Sequence, residues 1–139
     1  MGMHAMPIIT LTIPGPPVGK QRARVTRTGH AYTPPATVNY EALVKQTFAA
    51  KYPDFVPLSG PVRMGLWILL MPSKETARKI KKGIKVYPTI KPDIDNVFKI
   101  IADALSGLAF VDDKQIVESD LSKHYADRPM VEVVIKELT

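Results

Sequence analysis

Thirteen prolines in 139 residues cut this chain into short elements whose ends are fixed before any packing is considered. Proline donates no backbone hydrogen bond and locks φ, so it stops helices and is kept out of central strands. Residues 14–20 (PGPPVGK) place three prolines and two glycines in seven positions and exclude regular structure there. Between such breaks the pattern resolves into elements. Residues 8–13 (IITLTI) are β-branched and read as a strand. Residues 21–32 (QRARVTRTGHAY) are basic and form a short hairpin or an ordered loop turning at Thr28-Gly29. Residues 37–51 read as a helix, with Val38, Ala42, Lys45 and Ala49 on one stripe and Leu43, Val44 and Phe48 near the apolar side. Residues 62–71, bounded by Gly60-Pro61 and Pro72, read as a buried strand.

Residues 73–82 (SKETARKIKK) predict a short polar helix with Ser73 as N-cap and Gly83 just past its end. A solvated surface helix is its plainest reading; a basic arm touching phosphates is the other. Residues 85–91 run extended up to Pro92. Residues 95–106 give the clearest helix, with Val97, Ile101, Ala104, Leu105 and Leu108 on one stripe, Phe98 beside it, and Gly107 as its stop. Residues 117–126 and 131–136 read as an antiparallel C-terminal hairpin joined by Asp127-Arg128-Pro129. The order β-α-β-(α)-α-β-β predicts one α+β domain over residues 1–139, a mixed sheet with helices packed on one side. Residues 1–6 (MGMHAM) are set aside as a cloning remnant or loose leader.

Composition narrows the function. The chain has no cysteine, which removes disulfides, zinc thiolates and cysteine nucleophiles. Its three histidines are scattered, so a histidine cage is not expected. Oxygen ligands remain, and these suit magnesium or manganese. The longest apolar run, GLWILLM at residues 65–71, is far short of the ~20 residues that span a bilayer, so no membrane partner is expected. The N-terminus lacks the charged start and apolar stretch of an export signal, which predicts a cytoplasmic protein. A formal charge of +6 favours a polyanionic partner.

Against that basic background, acids gather in one place. Residues 91–117, KPDIDNVFKIIADALSGLAFVDDKQIV, open on Asp93, Asp95 and Asn96 and close on Asp112 and Asp113. Crowded carboxylates repel unless a positive charge sits among them. In an extended stretch Asp93 and Asp95 point the same way, toward a helix N-terminus that tolerates negative charge. One aspartate there is a helix cap; two plus Asn96 exceed what a cap needs. Asp95, Lys99 and Asp103 share one helix face. Lys99 then either pairs with Asp103, worth about 0.3–0.5 kcal/mol, or reaches the carboxylates and steadies a phosphoryl transition state. Asp112-Asp113 alone would be a plain turn. A helix of about 12 residues is about 18 Å long, so this pair meets Asp93 only if the chain doubles back along the helix. Three carboxylates on divalent cations would serve phosphodiester hydrolysis.

The pattern P-D-x-D-N-x-x-K, then D-A-L, a glycine-bearing turn and D-D-x-Q-[IV] is filled at every position, and this segment resembles the core of the RusA-type Holliday junction resolvases. Residues 19–34 (GKQRARVTRTGHAYTP) are similar to the basic segment of one branch of that family. The resemblance covers about two-thirds of the chain. It implies a homodimeric bacterial, phage or prophage endonuclease that binds four-way DNA junctions and nicks opposed strands with Mg²⁺ or Mn²⁺, in DNA recombination and repair. It places the metal-binding acids on Asp93, Asp95 and Asp113 and a catalytic lysine on Lys99, with Asp112, Asn96, Lys91 and Lys123 as secondary candidates. Lys20, Arg22, Arg24 and Arg27 are the expected DNA contacts. The basic stretch at residues 73–87 departs from the compact members and leaves substrate reach open. Two other readings stand beside this one. A non-catalytic DNA binder would gain nothing from carboxylates facing phosphates, and a phosphatase of small esters would need few of the outlying lysines and arginines.

Overall fold

The computed structural model describes residues 8–139; residues 1–6, expected to be a cloning remnant or loose leader, lie outside them. The elements are β1 (Ile8–Pro14), a two-residue pair β2 (Arg24–Val25) and β3 (Ala31–Tyr32), α1 (Pro35–Lys51), β4 (Val62–Leu70), α2 (Lys74–Lys81), α3 (Ile94–Leu105), a 3-10 turn (Asp113–Gln115), β5 (Ile116–Tyr125) and β6 (Met130–Glu137). The main sheet runs β1-β6-β4-β5. β6 is antiparallel to both of its neighbours and β4 is parallel to β5, so the sheet is mixed and the fold α+β as predicted.

One expectation fails here. β5 and β6 are consecutive, but β4 lies between them, so they do not form a hairpin. The reason is in β4. Val62, Met64, Leu66, Ile68 and Leu70 are all buried, which makes it the most apolar strand and gives it a place with partners on both sides. β5 alternates weakly, with a mostly exposed first half, and takes the edge. The expectation of a buried strand over residues 62–71 is also too broad. Trp67 faces the uncovered side of the sheet at 57% exposure, as alternation along a strand requires.

The covered face carries Ile9, Leu11 and Ile13 of β1 and Val131, Val133 and Ile135 of β6 beside the β4 set. α1 and α3 pack there, which agrees with helices on one side. α1 docks through Thr37, Tyr40, Val44 and Phe48 rather than the predicted Val38 stripe; Val38, Ala42, Lys45 and Ala49 are exposed. Apolar and polar residues are interleaved around α1, so its sequence did not select a face. α3 is strongly one-sided, and Val97, Ile100, Ile101, Ala104 and Leu105 bury as a stripe. Each Val, Ile or Leu of the stripe contributes about 1.5–3 kcal/mol of burial, which fixes the rotation of α3 about its axis. Ser73 caps α2 by accepting from the Thr76 N–H at 3.1 Å. No helix among the described residues is long and apolar enough to cross a membrane.

Candidate active site

The polar face of α3 is set by the burial of its opposite face. Asp95, Lys99 and Asp103 therefore look outward together. Asp93 occupies the N-cap position with extended backbone (φ −70°, ψ 145°), yet its side chain makes no capping hydrogen bond. Capping does not account for this aspartate.

The chain does double back. Gly107, at φ +86°, takes a left-handed turn that a side chain would strain, and its N–H donates to the Phe110 carbonyl at 2.7 Å. Fully buried Phe110 anchors the return. Leu58 N–H donates to Ala109 O, and Val111 N–H donates to Leu58 O. Gln115 closes the loop: its Oε1 accepts from the Asp112 N–H at 2.8 Å, and its Nε2 donates to the carbonyls of Leu58 and Gly60, both at 2.8 Å. Asp112 thus occupies the N-cap of the 3-10 turn, while Asp113 looks into a cleft.

That cleft, about 820 Å³, is lined by Asp95, Asn96, Phe98, Lys99 and Ala102 of α3, by Asp113, by the first residues of β5, and by Lys20–Ala23. The β4–β5 register shifts between Val62 and Arg63, which pair with Ile116 and Glu118 and leave Val117 unmatched at the cleft. Asp93 lines an adjoining cleft of about 360 Å³ with Lys91, Pro92, Val18 and Gly19. Lys20, Gln21 and Asn96 border both. Of the predicted acids, then, Asp95 and Asp113 share one cleft with Lys99, and Asp93 stands at its neighbour. Gly19 permits the close approach of the N-terminal segment: a Cβ there would lie 3.1 Å from the Asn96 Cβ and 3.3 Å from the Pro92 Cβ. The Lys20 N–H donates to Asn96 O at 2.9 Å.

Lys20 differs from its expected role. Its Nζ lies 2.6 Å from Glu41 Oε1 and 3.2 Å from Asp103 Oδ2, with side chains only 22–31% exposed. The Glu41 hydrogen bond, opposed by burial and reinforced by Asp103, raises the Lys20 pKa. Asp103 thus pairs with Lys20, and the Lys99–Asp103 bridge does not form; Lys99 has no carboxylate within 4 Å among the described residues. Glu41 had no signal in the sequence, because only the packing of α1 on α3 brings it here. Asp103 had one: its place on the face of Asp95 and Lys99.

Lys123 also changes role. Its Nζ donates to Pro92 O at 3.1 Å and to Ile90 O, which ties down the strap leading into Asp93. Lys91 remains at the Asp93 cleft. Arg22 lines the main cleft, whereas Arg24 lies in β2 and Arg27 near the hairpin tip, all exposed. Of the two forms expected for residues 21–32, the β2–β3 pair takes the hairpin, with Gly29 N–H donating to Thr26 O.

Among the described residues no three acidic or histidine side chains converge into a ready cation cage. The donors nonetheless fit magnesium, which commonly takes one or two carboxylates, substrate phosphates and retained waters. Asp113 shows the crowding such an ion would relieve: slight desolvation of this exposed group first, then the Asp112 and Asp103 carboxylates, hold its pKa above the ordinary carboxylate value.

A curated relative, the uncharacterized protein YqaN of Bacillus subtilis (strain 168), is 35% identical over 143 residues, covering 96% of this chain and 99% of its own length. Residues 14–136 match the family described as endodeoxyribonuclease RusA, which takes in the basic hairpin, α3 and the returning Asp112-Asp113 turn, and the chain belongs to that family.

Proposed function

We propose that this protein is a structure-selective endonuclease that resolves four-way DNA junctions by metal-dependent phosphodiester hydrolysis, in DNA recombination and repair. The observation that carries the reading is the single cleft in which Asp95, Asp113 and Lys99 meet the root of the basic hairpin. Carboxylates facing a polyanion repel it unless a cation intervenes, so a pure DNA binder has no use for them.

Asp95 and Asp113 would hold the ion, with Asp93 joining from the adjoining cleft. A divalent cation, when bound, supplies Lewis-acid polarisation of the scissile phosphate and neutralises its charge. Lys99, with no carboxylate partner among the described residues, places its ammonium where negative charge builds on the phosphoryl oxygens. Arg22 draws the phosphate backbone into the cleft. The Lys20–Glu41–Asp103 bridge holds the hairpin root against α1 and α3, so the arm and the acids keep one geometry.

Resolution needs two cuts on opposed strands, and one chain offers one site. A two-fold homodimer supplies both. The uncovered face of the sheet exposes Ile8, Trp67 and Val134 and is the expected contact. A synthetic four-way junction and a matched linear duplex, each incubated with and without Mg²⁺, test the reading. Paired nicks in the junction alone, and only with metal, are expected; equal cutting of both, or none in either, would overturn it. A protein that sediments as a monomer with and without junction would leave only a single-strand nickase.

A further inference from the structure

α2 and residues 82–88 after it line neither cleft of the site just described. α2 has no buried residue, so its side chains add nothing to the core. It carries Lys74, Arg78, Lys79 and Lys81, followed by Lys82 and Lys85, against a single acid, Glu75. None of these cations has a carboxylate within 4 Å among the described residues. Basic residues in a last helical turn suit the macrodipole, which accounts for one or two of them. The rest stand at spacings of three and four residues, where like charges destabilise a helix. A merely solvated helix would alternate its signs; this one concentrates positive charge at a cost in its own stability. Lys85 is held with its Nζ 4.9 Å from the Tyr87 ring centroid, and that ring is itself 64% exposed.

The position of this patch matters as much as its charge. Ile80 and residues 84–88 lie beside Lys123, His124 and Tyr125 at the far end of β5. The cleft takes residues 116–119 at the near end of the same strand. β5 is an edge strand, with no further strand paired beyond it. At about 3.3 Å per residue the two surfaces stand roughly 20 Å apart. That is about six base pairs of B-form duplex at about 3.4 Å each.

We infer that α2 and the strap behind it form a second DNA-binding surface, which grips the phosphate backbone of a duplex arm about six base pairs from the cut. The inference rests on the nuclease reading above and adds an arm-length requirement to it. A duplex laid along the β5 edge meets the carboxylates at one end and the lysines at the other. The hairpin and α2 then hold the same substrate at separate points, and only the hairpin root touches the cleft.

The test uses full-length wild type and a Lys79→Ala/Lys81→Ala/Lys82→Ala variant, with four-way junctions whose arms are ~5 or ~12 base pairs long, on either side of the roughly six-base-pair spacing. Because Lys79, Lys81 and Lys82 are exposed, the variant's thermal melt should match that of wild type, and an Arg78→Gln/Lys82→Gln variant repeats the test if it does not. Binding without metal is measured across a salt series. The long-arm salt slope should flatten by two to three units in the triple variant, since each phosphate contact contributes about 0.9. Wild type should bind long arms more tightly than short ones, and the variant should bind both alike. An unchanged salt slope, or an equal arm-length preference in both proteins, overturns the inference while the nuclease reading stands. Absence of junction binding by wild type overturns both.

Discussion

Lys20 is the residue whose removal most sharply separates this structure from a simpler picture of a basic arm. If Lys20 were only a phosphate contact, Lys20→Ala would weaken DNA binding and leave the fold untouched. Instead its ammonium joins Glu41 of α1 to Asp103 of α3 at 2.6 and 3.2 Å. Removing it leaves two partly shielded carboxylates near each other without a counter-charge. An exposed pair is worth up to about 1 kcal/mol and a buried one several times more when one partner is lost. With side chains 22–31% exposed the loss falls between these limits, at about 1–2 kcal/mol. A chain of this length unfolds with an entropy of about 0.3 kcal/mol per kelvin, so Tm should fall by about 3–7 °C. The sign with pH follows from the raised Lys20 pKa, whose main cause is the Glu41 hydrogen bond. A raised lysine contributes stability that is whole below its unfolded value of 10.5 and is lost as pH climbs through the higher folded value. Melting curves of wild type and Lys20→Ala should therefore be well separated at pH 7 and draw together above that value. A difference under about 1 °C at pH 7, or one that persists unchanged into strong alkali, would refute the argument.

Three further predictions follow from the same geometry. Asp113→Asn should stabilise the metal-free protein at neutral pH by under about 1 kcal/mol. With its pKa raised, Asp113 opposes folding once ionised, so the gap should close below the ordinary carboxylate value of 3.8, and millimolar Mg²⁺ should favour wild type instead. Lys99→Ala should cut junction cleavage by about a hundredfold or more, as loss of a transition-state charge contact does. Its melt should be unchanged, because Lys99 pairs with no carboxylate among the described residues; a collapse in stability would show a structural role. Arg22→Ala/Arg24→Ala should flatten the salt dependence of junction binding by about two units, and an unchanged slope would move the DNA face off the hairpin.

Much of the fold was legible because its breaks are chemical. The prolines and glycines placed the ends of α1, α2, β4 and α3 to within a residue or two, and the one-sided α3 declared its buried stripe. Sheet order was not legible. That β4 separates β5 from β6 is decided by competition among strands for the central place, which adjacency in sequence does not report. The face of α1 was hidden for a similar reason: its apolar residues surround the helix, and only the sheet it meets chooses among them.

The site divides the same way. Asp95 and Lys99 were readable from helical spacing, and their alignment with Asp113 depended on a reversal that Gly107 makes possible. Asp112 and Asp113 were indistinguishable as letters. Gln115 separates them, because its side chain fastens Asp112 into a turn and leaves Asp113 toward the cleft. Lys20, Lys123 and Glu41 could not be assigned from sequence. Each acts through a partner at least 21 residues away, and lysine in a basic run looks the same whether it meets a phosphate or a carboxylate.

The central claim is that the cleft between α3 and the returning turn is a metal-dependent nucleolytic centre. It is tested most directly by single-turnover cleavage of a four-way junction by wild type, Asp95→Asn and Asp113→Asn across a Mg²⁺ and a Mn²⁺ titration. The account predicts no cleavage without metal, saturable cleavage by wild type, and loss of cleavage in both variants while junction binding is kept or tightened. Metal-independent cutting by wild type, or full-rate cutting by both variants, would contradict it.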